Sequence, residues 1–277
     1  MTAPRGSTFP LVPAGRFAGQ PGGTRRSMRR GDGDEVVGSR PYRPGDPISA
    51  IDWGASARLS TARNTDVFVV QETFAAETPR VAIVIDPRPA MSLYTPPFPW
   101  LDKGAAAERV TELITRSARA ARARVLAERL PGRDLGAVLR SLAQYTTRLP
   151  TGSFVFVVSD FLGELDPRHW VTLRARAWDV TPVVVQDPTW ERSFPEVSGI
   201  AVPFVDAESG AIREVWLSRR EARARRAAHE ERFLTLLDRL RRLRLDPVVV
   251  DEADPELLLR GFLAWAERRR RLRRRGA

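Results

Sequence analysis

The chain contains no cysteine, so neither disulfides nor thiolate metal sites are open to it. Histidine is almost as scarce: His169 and His229 are the two, and neither stands at a recognisable spacing from a nucleophile. No apolar run approaches the ~18–20 residues that span a bilayer. Nor does an apolar signal-peptide core follow Met1, so a soluble, cytoplasmic protein is expected. A GxSxG elbow, a GxxxxGK(S/T) loop and an HExxH helix are all missing, which removes the enzyme classes they mark. Lysine is nearly absent too, Lys103 being the single one among 45 basic residues. Against 34 acidic residues these leave a net charge of +11. Such a balance suits nucleic acid or an anionic surface. With alanine and proline also abundant, however, the arginine bias reads as GC-rich codon usage, and much of it as solvated surface.

What remains is an alternation of β-rich and helical patterns. Residues 1–30 are rich in Gly, Pro, Arg, Ser and Thr without apolar periodicity, which predicts disorder. Residues 31–78 form a turn-rich segment ending in a β-rich run over residues 66–74. Residues 79–267 carry near-continuous apolar runs at 80–85, 154–158, 182–185 and 247–250, as expected of strands covered on both faces. Helical periodicity lies between them, through Val110, Leu113, Ile114, Ser117 and Ala121, and again through Leu135, Val138, Leu139 and Leu142. Asp166-Pro167 and Asp254-Pro255 read as an N-cap followed by a first-turn proline. Ser218 and Glu221 have capping-box spacing. The pattern predicts an α/β fold with a mostly parallel sheet and helices on both faces. Residues 268–277 form a basic tail with seven arginines; a solvated helix end is favoured over phosphate binding, because no aromatic is interleaved after Trp265.

The densest stretch is residues 40–58, RPYRPGDPISAIDWGASAR. Pro44-Gly45 suits the centre of a type II turn, and Asp46-Pro47 opens another. Tyr42, Pro44, Gly45, Asp46, Ile51, Asp52, Trp53, Ser56, Ala57 and Arg58 stand in register with an aromatic, Pro-Gly-Asp, Ile-Asp-Trp, Ser-Ala-Arg pattern. That pattern resembles the signature of the domain-of-unknown-function 58 family. The resemblance implies a von Willebrand factor A-like, Rossmann-like main domain preceded by a small β-containing segment. It also implies association with MoxR-type AAA+ ATPases. Asp52, Trp53 and Arg58 are expected to form a structural latch with Trp53 mostly buried, so that Trp53→Ala costs about 3–5 kcal/mol.

In open α/β sheets ligands gather beyond the carboxyl ends of the strands, where Asp86 and Asp160 stand. In von Willebrand A-like domains such ends carry a metal-ion-dependent adhesion site, with Asp-x-Ser-x-Ser after the first strand and a later Asp. Here Asp86 and the Ser159-Asp160 pair match, whereas the two serine positions hold Arg88 and Ala90. A degenerate site is therefore expected, with Arg88 in the cation's place and no cofactor; Mg²⁺ is disfavoured because it wants hard oxygens in near-octahedral array. An arginine between the two acids also disfavours a proton-sharing dyad. No β-rich run follows the first helix, so the sheet is expected to lack an edge hairpin. The Asp187–Glu191 segment is placed near Asp160, and Asp206–Gly210 reads as a hairpin turn. The leading functional expectation is a non-enzymatic protein-interaction module, an adaptor partner of a MoxR-type ATPase. A nucleic-acid or polyanion binder using the arginine surface comes second, and a metal-dependent hydrolase third.

Overall fold

The computed structural model describes residues 7–14, 26–30, 36–42, 48, 51–63, 65–76, 80–92, 101–126, 130–144, 149–163, 166–205 and 211–275. Two compact units divide the chain: Arg16–Thr78, and Met1–Gly15 together with Pro79–Ala277.

The smaller unit contains β1 (Arg26–Arg30), β2 (Val36–Pro41), α1 (Trp53–Arg63) and β3 (Val69–Ala76). Its three strands are antiparallel in the order β1-β3-β2. The helix α1 is an element that the sequence pattern of this segment did not announce. Asp52 precedes it, and its Oδ1 accepts from Ala55 N at 2.9 Å, satisfying one of the donors that a helix start leaves open. Buried Ser56 accepts from Val69 N at 2.9 Å, and Ser60 accepts from Val67 N at 2.8 Å, so two hydroxyls tie α1 to the start of β3. Trp53 is 59% exposed and meets Phe68 edge-on. The latch is therefore Asp52 with the two serines; Trp53 is not its anchor, and Arg58 is exposed. Trp53→Ala is accordingly expected to cost less than about 1 kcal/mol, close to an ordinary surface substitution. A thermal melt that drops as for a buried tryptophan would refute this. Pro44, Gly45 and Asp46 lie outside the described residues.

The larger unit runs β4 (Arg80–Ile85), α2 (Lys103–Ala120), β5 (Arg124–Leu126), α3 (Leu135–Gln144), β6 (Phe154–Ser159), α4 (Pro167–Ala175) and β7 (Asp179–Val185). A hairpin of β8 (Ile200–Val205) and β9 (Ile212–Leu217) follows, then α5 (Arg219–Arg242), β10 (Val248–Val250) and α6 (Pro255–Arg275). Five strands make one sheet in the order β10-β7-β6-β4-β5, with every ladder parallel. Phe154, Phe156 and Val158 point to the face covered by α2 and α6, and Val155 and Val157 to the face covered by α3, α4 and the end of α5. This period of two inside an all-apolar run is what a doubly covered strand requires. Asp166 and Asp254 each accept backbone N–H groups at a helix start, and Ser218 with Glu221 forms the capping box.

Three expectations need correction. A strand does follow α2, where no β-rich run was expected: β5 forms the sheet edge as a single short strand parallel to β4, and, in keeping with the expected lack of an edge hairpin, no hairpin partner accompanies it among the described residues. Its three-residue length left no run for a sequence pattern to show. β7 begins at Asp179, three residues before the proline that seemed to start it. Pro182 is tolerated because β10 meets β7 only at Val183–Val185, so the missing N–H falls outside that ladder. Finally, residues 7–14 are packed rather than disordered. Phe9 stacks on Phe262 with ring centroids 4.5 Å apart, and both Phe9 and Val12 are buried in the α2/α6 core. The turn at 206–210 lies outside the described residues.

Candidate functional site

The strand order fixes where a site can lie. From β4 the chain moves outward to β5, then returns to β6 and proceeds the other way through β7 to β10. The direction reverses between β4 and β6, and the carboxyl ends of these two neighbours open the crevice in which α/β sheets hold ligands. Asp86 follows β4 and Asp160 follows β6, and both side chains are fully shielded from solvent.

Arg88 joins them. Its Nε donates to both Asp86 oxygens, at 3.0 and 2.9 Å, and its Nη2 reaches Asp86 Oδ2 and, at 3.0 Å, Asp160 Oδ1. Ser159 Oγ donates to Asp86 Oδ2 at 2.6 Å and accepts from Phe161 N at 2.9 Å. The planar guanidinium fork explains why one side chain can satisfy two carboxylates at once. Gly163 makes room for it, since a β-carbon there would fall 1.9 Å from Arg88 Nη1. Phe161 takes a positive φ of 52°, a conformation that costs a non-glycine residue energy and turns the chain sharply just past Asp160.

Sequence reasoning missed the second cation. Lys103 opens α2, is buried, and donates from Nζ to Asp160 Oδ2 at 2.9 Å and Glu191 Oε1 at 2.6 Å. Burial alone would lower its pKa, but the charges of Glu191 and Asp160 outweigh that and raise it above its ordinary value. Burial pushes the Glu191 carboxyl up, with Lys103 pulling against it. The signal was available in composition: the chain uses arginine at every other basic position and lysine once. The Asp187–Glu191 segment lies here as expected. Asp187 accepts from Leu101 N at 2.6 Å, and Glu191 Oε2 accepts from Asp187 N at 2.9 Å. Gln186 donates to Asp160 O. His229 is half-buried and its Nδ1 faces the carbonyls of Trp190 and Ser193 at 3.0 and 2.9 Å, so it steadies the loop that carries Glu191. Burial and nearby Arg232 depress its pKa.

The arrangement is a continuous chain of ion pairs: Asp86, Arg88, Asp160, Lys103, Glu191. A divalent cation does not fit it. Oxygens of Asp86, Ser159 and Asp160 converge, but the Arg88 guanidinium fills the space between them and Ala90 brings no hydroxyl. No cluster of three or more acidic or histidine side chains suited to a metal occurs among the described residues.

No described helix is long and apolar enough to cross a membrane. No curated protein and no solved structure matches the chain. A family model does, over residues 106–233; the matched stretch takes in Ser159, Asp160 and Glu191 and leaves Asp86, Arg88, Lys103 and the residues 40–58 outside it. From within α2 to within α5, then, the chain is similar to the family described as "Protein of unknown function DUF58".

Proposed function

We propose that this chain is a non-enzymatic protein-interaction module whose strand-end site works without a metal, and that its partner is a MoxR-type AAA+ ATPase. The observation that carries the non-enzymatic reading is the internal neutralisation of the crevice. Each strand-end acid is engaged by a built-in cation, Arg88 or Lys103, so neither is left to move a proton or hold a metal-bound water. The reading of the larger unit as von Willebrand A-like is supported by the parallel sheet and by the acids at the reversal point between β4 and β6. The site is then a degenerate metal-ion-dependent adhesion site, with Asp86, Ser159 and Asp160 retained and Arg88 and Ala90 as the departures. The choice of ATPase rests on the family resemblance of residues 40–58 and 106–233. Exposed apolar side chains support a protein partner: Trp53 and Ile48 in the smaller unit, Ile212 and Trp216 on the hairpin.

The test is retention of the MoxR-type ATPase of the same genome on the immobilised full chain, with and without a chelator. Retention that survives the chelator is expected, and so is a flat calorimetric trace on titration with Mg²⁺ or Mn²⁺. Failure to retain the ATPase overturns the partner. Tight Mg²⁺ binding, or release by the chelator, overturns the metal-independent site.

A further inference from the structure

Beside the ion-pair chain, between the starts of α3 and α4, lies an open cleft of about 710 Å³. Its walls carry Arg133, Arg140, Arg239 and His169, with Arg88 at its inner edge. Two acids, Asp134 and Asp166, also line it, but both are committed elsewhere. Asp134 Oδ1 accepts from Ala137 N at 2.7 Å and Asp166 Oδ1 from Arg168 N at 2.8 Å, each capping a helix start. No carboxylate pairs with Arg133, Arg140 or Arg239 among the described residues. The contrast within one unit is instructive, because Arg88, Arg269 and Lys103 are each held by acids. Three guanidinium groups face one concavity without a paired carboxylate, and they outnumber the two capping acids that line it.

The cleft is also kept open for them. Gly136 forms part of the wall, and a β-carbon there would come within 2.9 Å of His169 Nε2, 3.2 Å of Asp134 Oδ1 and 3.5 Å of Arg140 Nη1. His169 Nε2 and Arg140 Nη1 are themselves 3.4 Å apart, so two nitrogen-bearing groups converge over a glycine. Fork-shaped donors converging from several directions match an anion with oxygens on several sides, the geometry of a phosphoryl group. The volume exceeds what a single phosphate needs and falls in the range of small-molecule sites. Phe161, the aromatic residue of the lining, is buried, so no ring is presented for stacking a base.

We propose that this cleft binds an oligophosphate group, the diphosphate or triphosphate of a small molecule, through Arg133, Arg140 and Arg239. The site is separate from the partner-binding reading and does not depend on it. The source of the group, an inorganic chain or a nucleotide, is left to the experiment, because the cleft offers donors for phosphate and no base pocket.

The experiment is calorimetric titration of the full chain at low salt with tripolyphosphate, with ATP and with citrate. Tripolyphosphate and ATP are expected to bind alike and citrate far more weakly. Arg133→Ala combined with Arg140→Ala is expected to weaken tripolyphosphate binding by about tenfold or more, the worth of losing charge-assisted pairs. Both side chains are on the surface, so the ligand-free melting temperature should not move. Arg219→Ala with Arg220→Ala, at the far end of α5, should leave binding unchanged. Gly136→Ala, which intrudes on His169 and Arg140, should weaken it without removing any charge. No heat with tripolyphosphate overturns the proposal. So does binding that survives the Arg133/Arg140 substitutions, which would place the anion elsewhere on the basic surface. Citrate binding as tightly as tripolyphosphate overturns the assignment to phosphate, and ATP binding far more tightly than tripolyphosphate means a base pocket and overturns it as well.

Discussion

Arg88→Ala is expected to lower the stability of the protein by about 3–5 kcal/mol, because it removes one partner from a buried ion pair and leaves the other behind. The Asp86 and Asp160 side chains have no solvent exposure, and Arg88 contacts both. Without it their carboxylates face each other across the crevice with Lys103 reaching Asp160 alone. Gly163→Ala separates the position of the guanidinium from its mere presence. It keeps Arg88 but places a methyl group where Nη1 now lies, so the side chain must leave the two acids or distort their geometry. Both variants should melt well below the parent in chemical denaturation. The same reasoning predicts a gain for Arg88→Ser with Ala90→Ser, which clears the space and adds two hydroxyls. That variant should bind Mg²⁺ where the parent does not, and part of its lost stability should return with the ion. Denaturation midpoints for Arg88→Ala within error of the parent would show that Arg88 is a bystander.

How much of this could be read in the sequence depends on how local the cause was. β4 was legible to the residue because VAIVI is an uninterrupted apolar run, with Pro79-Arg80 before it and Asp86-Pro87 after it. The caps at Asp166, Asp254 and Ser218 were legible because a cap acts over three residues. The convergence of Asp86, Arg88 and Asp160 was also within reach, since strand ends and a reversal of strand order follow from the alternation of elements. Composition singles out Lys103 as the one lysine, but its place in the site was not legible, because the first position of a helix is ordinarily solvated and what buries it is the return of Glu191 from a loop 88 residues away. Helix α1 escaped because its sequence mixes small and polar residues and lacks an apolar stripe; its stability comes from two serines bonded to another strand's backbone. The arginine cleft escaped for a different reason. Arg133, Arg140 and Arg239 are unremarkable among so many arginines until three elements bring them to one concavity.

The amino-terminal segment shows the same principle at the opposite end of the sheet and supports the second large effect, that of Arg269→Ala. The run of arginines at the end of the chain reads as a solvated tail, yet α6 continues unbroken through it and Arg269 is 1% exposed. Its Nη1 donates to Asp179 Oδ1 at 2.8 Å and to Val12 O at 3.0 Å, and its Nη2 donates to Thr181 Oγ1 at 3.0 Å. The guanidinium also lies over the Trp265 ring, 4.2 Å from its centroid. Asp179 uses its other oxygen to accept from Ala14 N at 2.8 Å. One arginine thus holds together α6, the start of β7 and the segment that carries Phe9. Arg269→Ala removes the cation from a pair whose partner is fully buried, and a loss of about 3–5 kcal/mol is expected. The loss should be accompanied by release of residues 7–14, read as faster amide exchange at Phe9, whose N–H is held by Ser117 Oγ at 3.1 Å. Phe9→Ala should produce a cost of the same order by a different route, since it empties the stack on Phe262 while leaving the ion pair intact. Because the two residues share the segment they hold, the double variant should cost less than the sum of the single ones. Strict additivity, with exchange at residues 7–14 unchanged in Arg269→Ala, would mean that the arginine serves the sheet alone and does not anchor the amino-terminal segment.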